Sequence, residues 1–127
     1  MNHHIFVYGT LLQGQPNHRV LGGARLLRRA HTEPAFLLYD LGLFPALVDG
    51  GSQRVAGELY EVDDACLAVL DRLEGHPRFY FRSSILLDSG ELVEAYLLPR
   101  ERLYGTHRLI RCGDWLKRPG ARKERTT

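Results

Sequence analysis

The chain has only two cysteines, Cys66 and Cys112, in 127 residues. Two isolated thiols predict buried free cysteines rather than a disulfide. No apolar run approaches the roughly 18 residues that a membrane helix requires. The opening Met1-Asn2-His3-His4-Ile5-Phe6-Val7-Tyr8 has no basic leader and runs straight into an apparent strand, so no signal peptide, no membrane association and a cytoplasmic location are expected. The six histidines show no HxxxH spacing and the cysteines no CxxC, which leaves no metal-ligand pattern. Glycine-rich nucleotide motifs are absent, and neither cysteine stands in a nucleophile-like context. There are no repeats and no low-complexity segments.

What is present fits one globular domain: length suits a single core, and 44% hydrophobic with 25% charged residues is ordinary for a soluble fold. The net charge of +2 is uneven. Lys117, Arg118, Arg122, Lys123 and Arg125 stand against Glu124 in the last eleven residues, a net of +4, which leaves −2 for the rest. The pI near 8.7 therefore belongs to the tail, and this argues against nucleic-acid binding by the body. Residues 1–116 are read as the folded domain and 117–127 as a basic C-terminal tail.

Short strands punctuated by glycine and proline dominate. Ile5 to Tyr8, Arg25 to Thr32, Ala35 to Asp40, Pro45 to Val48 and Val55 to Val62 read as strands. Phe79 to Leu87 and Leu92 to Leu98 form a hairpin around Asp88-Ser89-Gly90. Gly57, inside the clearest strand, marks a bulge or a close backbone approach. Asn17 can cap a short helix through His18 to Leu21, stopped by Gly22-Gly23. Asp63 and Asp64 open the one substantial helix, where Cys66, Leu67, Leu70, Leu73 and Glu74 recur at helical spacing before Gly75. The fold class is α+β: a mixed β-barrel or curled sheet with one main helix and a short one.

Two features suggest chemistry. Tyr8-Gly9-Thr10-Leu11 takes a strand abruptly into a glycine turn, and such turns can present successive backbone N–H groups to an anion or a carbonyl oxygen. A plain strand-ending turn is the simpler reading of those four residues. Glu74 lies on the apolar stripe of its helix, in the last turn. The negative end of the helix dipole and partial burial both disfavour its ionised form and push its pKa up, as general acid–base work near neutrality requires. A solvent-facing helix-end glutamate is the alternative. In a strand from Phe79, Tyr80 and Arg82 would share a face, with Tyr80 supplying a hydroxyl and Arg82 holding a carboxylate.

The order of these segments is distinctive. Tyr8-Gly9-Thr10-Leu11 followed by Gly14-Gln15-Pro16-Asn17-His18 resembles the N-terminal signature of the γ-glutamylcyclotransferase-like family. Gly57-Glu58-Leu59-Tyr60 resembles its central strand. Leu70-Asp71-Arg72-Leu73-Glu74-Gly75 with Tyr80-Phe81-Arg82 resembles its catalytic segment, and Gly113-Asp114-Trp115 the ending of short bacterial members. The resemblance spans about residues 5 to 116 and is nearest to γ-glutamylamine cyclotransferases and short bacterial relatives.

That resemblance implies Glu74 as the catalytic glutamate, with Tyr8, Gly9, Thr10, Leu11, Tyr80 and Arg82 around a small-molecule γ-glutamyl substrate. It implies internal aminolysis that releases 5-oxoproline and an amine, without cofactor or metal, in a monomer or homodimer. The leaving amine would lie against Leu41 to Asp49 and Pro99 to His107. A non-catalytic binding module with the same pocket is one competing reading; nucleic-acid binding through the Lys117 to Arg125 tail is the other, against which a solvated extension is the simpler account.

Overall fold

Ile5, Phe6 and Val7 are almost fully buried, and three consecutive buried apolar residues make their strand, β1 (His3–Val7), the middle of a sheet rather than its edge. The computed structural model describes residues 2–120; the remaining tail positions, including Arg122, Lys123 and Arg125, lie outside the described residues. The other elements in chain order are β2 (Arg25–His31), β3 (Phe36–Asp40), β4 (Pro45–Asp49), β5 (Ala56–Val62), α1 (Asp64–Glu74), β6 (Phe81–Leu86), β7 (Leu92–Leu97) and β8 (Arg108–Leu109). One sheet has the order β2-β5-β1-β7-β6 and a second the order β4-β3-β8.

β1 runs antiparallel to β5, with Val7 opposite Glu58, and parallel to β7, with Ile5 beside Glu94. The five-stranded sheet curls until its two edges touch. Thr32 bridges Leu87, the Glu33 amide donates to the Leu86 carbonyl (3.1 Å), and the Asp88 amide donates to that of His31 (2.9 Å). Pairing between the edges is confined to that point, so the sheet is curled and not a closed barrel. A Cβ on Gly57 would stand 2.2 Å from the Val7 carbonyl oxygen, so this glycine serves close approach. The irregularity itself falls on the neighbouring strand, between Leu26 and Arg28.

α1 is built as its sequence requires. The Asp63 carboxylate accepts from the Cys66 amide (2.8 Å), and Gly75 closes the helix in the left-handed conformation, φ 71°. Leu67 and Leu70 face the core. The segment His18–Leu21 is a 3-10 helix, and the expected Asn17 side-chain cap is not made: its amide donates instead to the Thr10 hydroxyl (3.1 Å). Two further 3-10 turns, Arg100–Arg102 and Trp115–Lys117, occupy stretches with no helical signal in the sequence.

Both cysteines are free, but neither is buried: Cys66 is partly covered and Cys112 is exposed. Cys112 sits in the turn between Ile110 and Gly113, where the apolar contacts are made by its neighbours Ile110 and Trp115. Trp115 is buried and donates from Nε1 to Gln15 (3.2 Å), and the Arg118 guanidinium lies 3.5 Å from its ring centroid. The C-terminal segment is thereby tied to the loop that follows β1. Among the described residues no helix is long and apolar enough to cross a membrane.

Candidate active site

β1 ends at Val7, and the chain then turns through Tyr8, Gly9, Thr10 and Leu11 along one wall of a cavity of about 380 Å³. The carbonyls of Gly9, Thr10 and Leu11 are all used. Gly9 accepts from the Leu12 amide (3.0 Å), Thr10 from the Asn17 amide (2.9 Å) and Leu11 from Nδ1 of His18 (2.9 Å). The N–H groups of Gly9, Thr10 and Leu11 have no acceptor among the described residues. Glu58, buried on β5, accepts from the Gln13 amide (3.1 Å) and the Tyr60 hydroxyl (3.0 Å). That pair of bonds fastens the far end of the turn to the sheet.

Gly9 owes its identity to space rather than to backbone conformation. Its φ is not in the left-handed region, but an added Cβ would lie 2.3 Å from Cγ of Pro45. Pro45 begins β4 and also lines the cavity.

Glu74 reaches the same cavity from the last turn of α1. No group among the described residues hydrogen-bonds its carboxylate, and burial pushes its pKa up to about 7. Its backbone carbonyl accepts from the Tyr80 amide (3.2 Å), which joins the helix end to the next wall residue. Burial also raises the hydroxyl pKa of Tyr80, with Glu74 adding to the effect, and that of Tyr8, with Tyr80 and Glu74 adding. Neither phenol ionises near neutrality, so Glu74 is the group here that exchanges a proton in the physiological range.

The tyrosine hydroxyls are already committed. Tyr80 donates to the Pro45 carbonyl (2.6 Å). Tyr8 donates to the Tyr96 carbonyl (2.6 Å) and accepts from the Leu47 amide (3.2 Å). Tyr80 is therefore a wall residue whose O–H proton is used within the protein, not the free donor its position in the sequence suggested.

Glu74, Tyr8, Gly9, Thr10, Leu11 and Tyr80 thus meet around one cavity, and Arg82 does not. Strand β6 begins only at Phe81, so Tyr80 precedes the strand that carries Arg82. The Arg82 guanidinium turns to Asp71 (3.3 Å) and Glu94 (3.7 Å). Two paired carboxylates already satisfy the cation that was expected to hold a substrate carboxylate. Of the two loops expected around the leaving amine, residues 41–49 supply Phe44 and Pro45, whereas residues 99–107 supply no lining residue. Sequence reasoning missed Tyr96 and Asn17 as lining residues. Tyr96 lies in a strand whose alternation gives no functional signal, and Asn17 was read as a helix cap. Among the described residues no group of His, Cys, Asp or Glu could hold a metal ion.

A half-buried carboxylate with its pKa raised to about 7, sharing a cavity of small-molecule size with unpaired amides, has the features that acid–base chemistry on a small molecule requires. The family model described as gamma-glutamyl cyclotransferase, AIG2-like, matches residues 5–117, and the chain belongs to that family. It is 43% identical to a Vibrio cholerae protein provisionally named a gamma-glutamylcyclotransferase, over 93% of this chain and 99% of that one. It is 34% identical to gamma-glutamylaminecyclotransferase C of Danio rerio, over 92% and 82% of the two chains. The crystal structure of an AIG2-like protein from Mus musculus superposes with a TM-score of 0.69 at 32% identity, over 93% of this chain and 84% of that one.

Proposed function

We propose that the protein cleaves a γ-glutamyl amine by intramolecular aminolysis, releasing 5-oxoproline and the free amine. The observation that carries this reading is the Glu74 carboxylate, poised by burial at a pKa of about 7 in the same cavity as the unpaired amides of residues 9–11. In its ionised form Glu74 takes a proton from the substrate's α-ammonium. The amine nitrogen then attacks the γ-carbonyl carbon, a C–N bond closes the five-membered ring, and negative charge develops on the carbonyl oxygen. Glu74 gives that proton to the leaving nitrogen and, again a carboxylate, takes the second proton from the ring nitrogen as the original amide C–N bond breaks; the released amine, basic at neutral pH, takes that proton up and departs as its ammonium ion. Atoms and charge balance within substrate and enzyme, so no external reactant is needed.

Proximity is supplied by the substrate itself, since nucleophile and electrophile share one chain. The protein's contribution is to fold that chain, shield it and move the proton. The amides of Gly9, Thr10 and Leu11 are the natural donors to an oxyanion or to the substrate's α-carboxylate. They keep their place because their carbonyl partners and the Glu58 anchor hold the turn. Incubation of the purified protein with γ-glutamyl amines and γ-glutamyl dipeptides, followed by quantification of 5-oxoproline, tests the reading. Release that depends on substrate and vanishes in Glu74→Gln supports it. Binding without release from any member of the panel would favour the non-catalytic module.

A further inference from the structure

Two of the exposed large apolar side chains, Leu73 and Phe79, stand at the cavity. Leu73 is 43% exposed and Phe79 36% exposed, and both line the cavity together with the partly exposed Phe44. Phe44, Phe79 and Tyr80 pack edge to face, with centroids 6.3 Å apart for Phe44–Phe79, 6.3 Å for Phe44–Tyr80 and 5.0 Å for Phe79–Tyr80. The result is an ordered aromatic wall that remains accessible to a ligand.

Charge tells the other half. Among the described residues Glu74 is the sole acidic or basic residue of the lining. Arg82 is paired with Asp71 and Glu94, and Arg102 lies over the Phe79 ring (5.4 Å) with a bond to the Arg78 carbonyl (2.9 Å); neither lines the cavity. The unpaired amides of residues 9–11 can receive one carboxylate or oxyanion, that of the γ-glutamyl portion. A second carboxylate, carried by the leaving group, would be desolvated without a cation and would face Glu74, and an unpaired buried charge is strongly disfavoured.

We propose that the Phe44–Leu73–Phe79 wall selects a leaving amine with an apolar, uncharged substituent, aryl or branched alkyl, and discriminates against leaving groups that bear a carboxylate, such as α-amino acids. This inference rests on the cyclisation reading for the placement of the γ-glutamyl portion. It assigns the specificity of the site to a lining that has apolar contact to offer and, among the described residues, no positively charged side chain of its own.

Three compounds separate the terms: γ-glutamyl benzylamide, γ-glutamylphenylalanine (the same ring with a carboxylate) and γ-glutamyl methylamide (neither). Calorimetric titration of full-length Glu74→Gln reads binding without turnover. The benzylamide is expected to bind about tenfold more tightly than either of the others, and Phe79→Ala in that background should reduce its advantage over the methylamide by about tenfold. Phe79→Leu, which keeps an apolar wall, should retain most of that advantage and separates lost contact from lost folding. Equal or tighter binding of γ-glutamylphenylalanine overturns the proposal, and loss of that binding in Arg102→Ala would reassign the rim to a carboxylate clamp. No binding of any of the three overturns it as well. Failure of the cyclisation reading shows separately, as absence of 5-oxoproline when the wild-type protein is incubated with the same compounds.

Discussion

The Tyr96 hydroxyl donates to Oδ1 of Asp71 at 2.6 Å, and Asp71 stands three residues before Glu74 on α1. The same Oδ1 accepts from Nε of Arg82 (3.3 Å) on β6, while the Tyr96 carbonyl accepts from the Tyr8 hydroxyl (2.6 Å). One carboxylate therefore ties the helix end to two strands and, through Tyr96, to Tyr8 in the cavity lining. Asp71→Ala leaves Tyr96 and Arg82 short of an acceptor and should lower stability by about 1–3 kcal/mol. If Asp71 positions Glu74, kcat for 5-oxoproline release should fall about tenfold while KM changes little, with Asp71→Asn intermediate. Urea unfolding and steady-state kinetics on the same preparations check this. A stability loss with kcat intact would confine Asp71 to a structural role.

Glu74→Gln removes the base without changing size. A loss on the order of 10²–10⁴ in kcat is expected with the fold retained. The wild-type kcat/KM should rise with pH through an inflection near 7, where the buried carboxyl ionises, because only the ionised form accepts the α-ammonium proton. The variant's residual activity should lack that inflection. Activity within threefold of wild type would show that the base is another group.

The same substitution should stabilise the protein, and only on one side of neutrality. Burial raises the Glu74 pKa from 4.5 to about 7, so across that interval the native state holds a proton that the unfolded chain has released. Wild-type stability is therefore lost as pH rises from about 4.5 to 7, a deficit on the order of 2–3 kcal/mol above that window. Glutamine carries no such penalty. Urea titrations at pH 5 and pH 8 should show Glu74→Gln gaining on wild type mainly at pH 8. An equal difference at both pH values would mean that burial does not perturb this carboxyl.

Much of this was legible in the sequence because it is local. Asp63 and Gly75 bracket α1 by capping chemistry that acts within four residues, and the Leu67–Leu70–Glu74 spacing places the carboxylate on the apolar side of the helix. The Asp88-Ser89-Gly90 turn likewise sets the β6–β7 hairpin, in which Phe81 pairs with Leu97 and Leu86 with Leu92. What escaped depends on distant partners. Arg82 could be assigned to a substrate only while Asp71 and Glu94 were unplaced, because a guanidinium goes to whichever carboxylate the fold brings near. The Tyr80 hydroxyl was spoken for by the Pro45 carbonyl, 35 residues away. Tyr96 carries no local mark of its role, since its value comes from Tyr8 and Asp71 meeting it in space. Barrel or curled sheet was left open for a similar reason, since strand patterns do not say how far two edge strands will pair, and the fold takes the curled form.

The steric argument at Gly9 gives the last prediction. A Cβ there would fall 2.3 Å from Cγ and 2.6 Å from Cδ of Pro45, well inside contact distance, and both residues line the cavity. Conformational penalty is not the issue, because the Gly9 φ lies outside the left-handed region. Gly9→Val must therefore displace either the turn or the start of β4, and a β-branched side chain has little rotamer freedom with which to escape. Displacement moves the amides of residues 9–11 by far more than a hydrogen bond tolerates. Calorimetric titration with 5-oxoproline should show binding abolished in Gly9→Val, with far-UV circular dichroism near that of wild type. Thr10→Ser, which leaves the backbone amide in place, should change affinity only mildly. Because the clash is with the Pro45 ring, Gly9→Ala combined with Pro45→Ala should bind more tightly than Gly9→Ala alone, since the second change removes the offending Cγ and Cδ. Unchanged 5-oxoproline affinity in Gly9→Val would place the ligand elsewhere and leave Glu74 without the amide cradle that the proposed reaction requires.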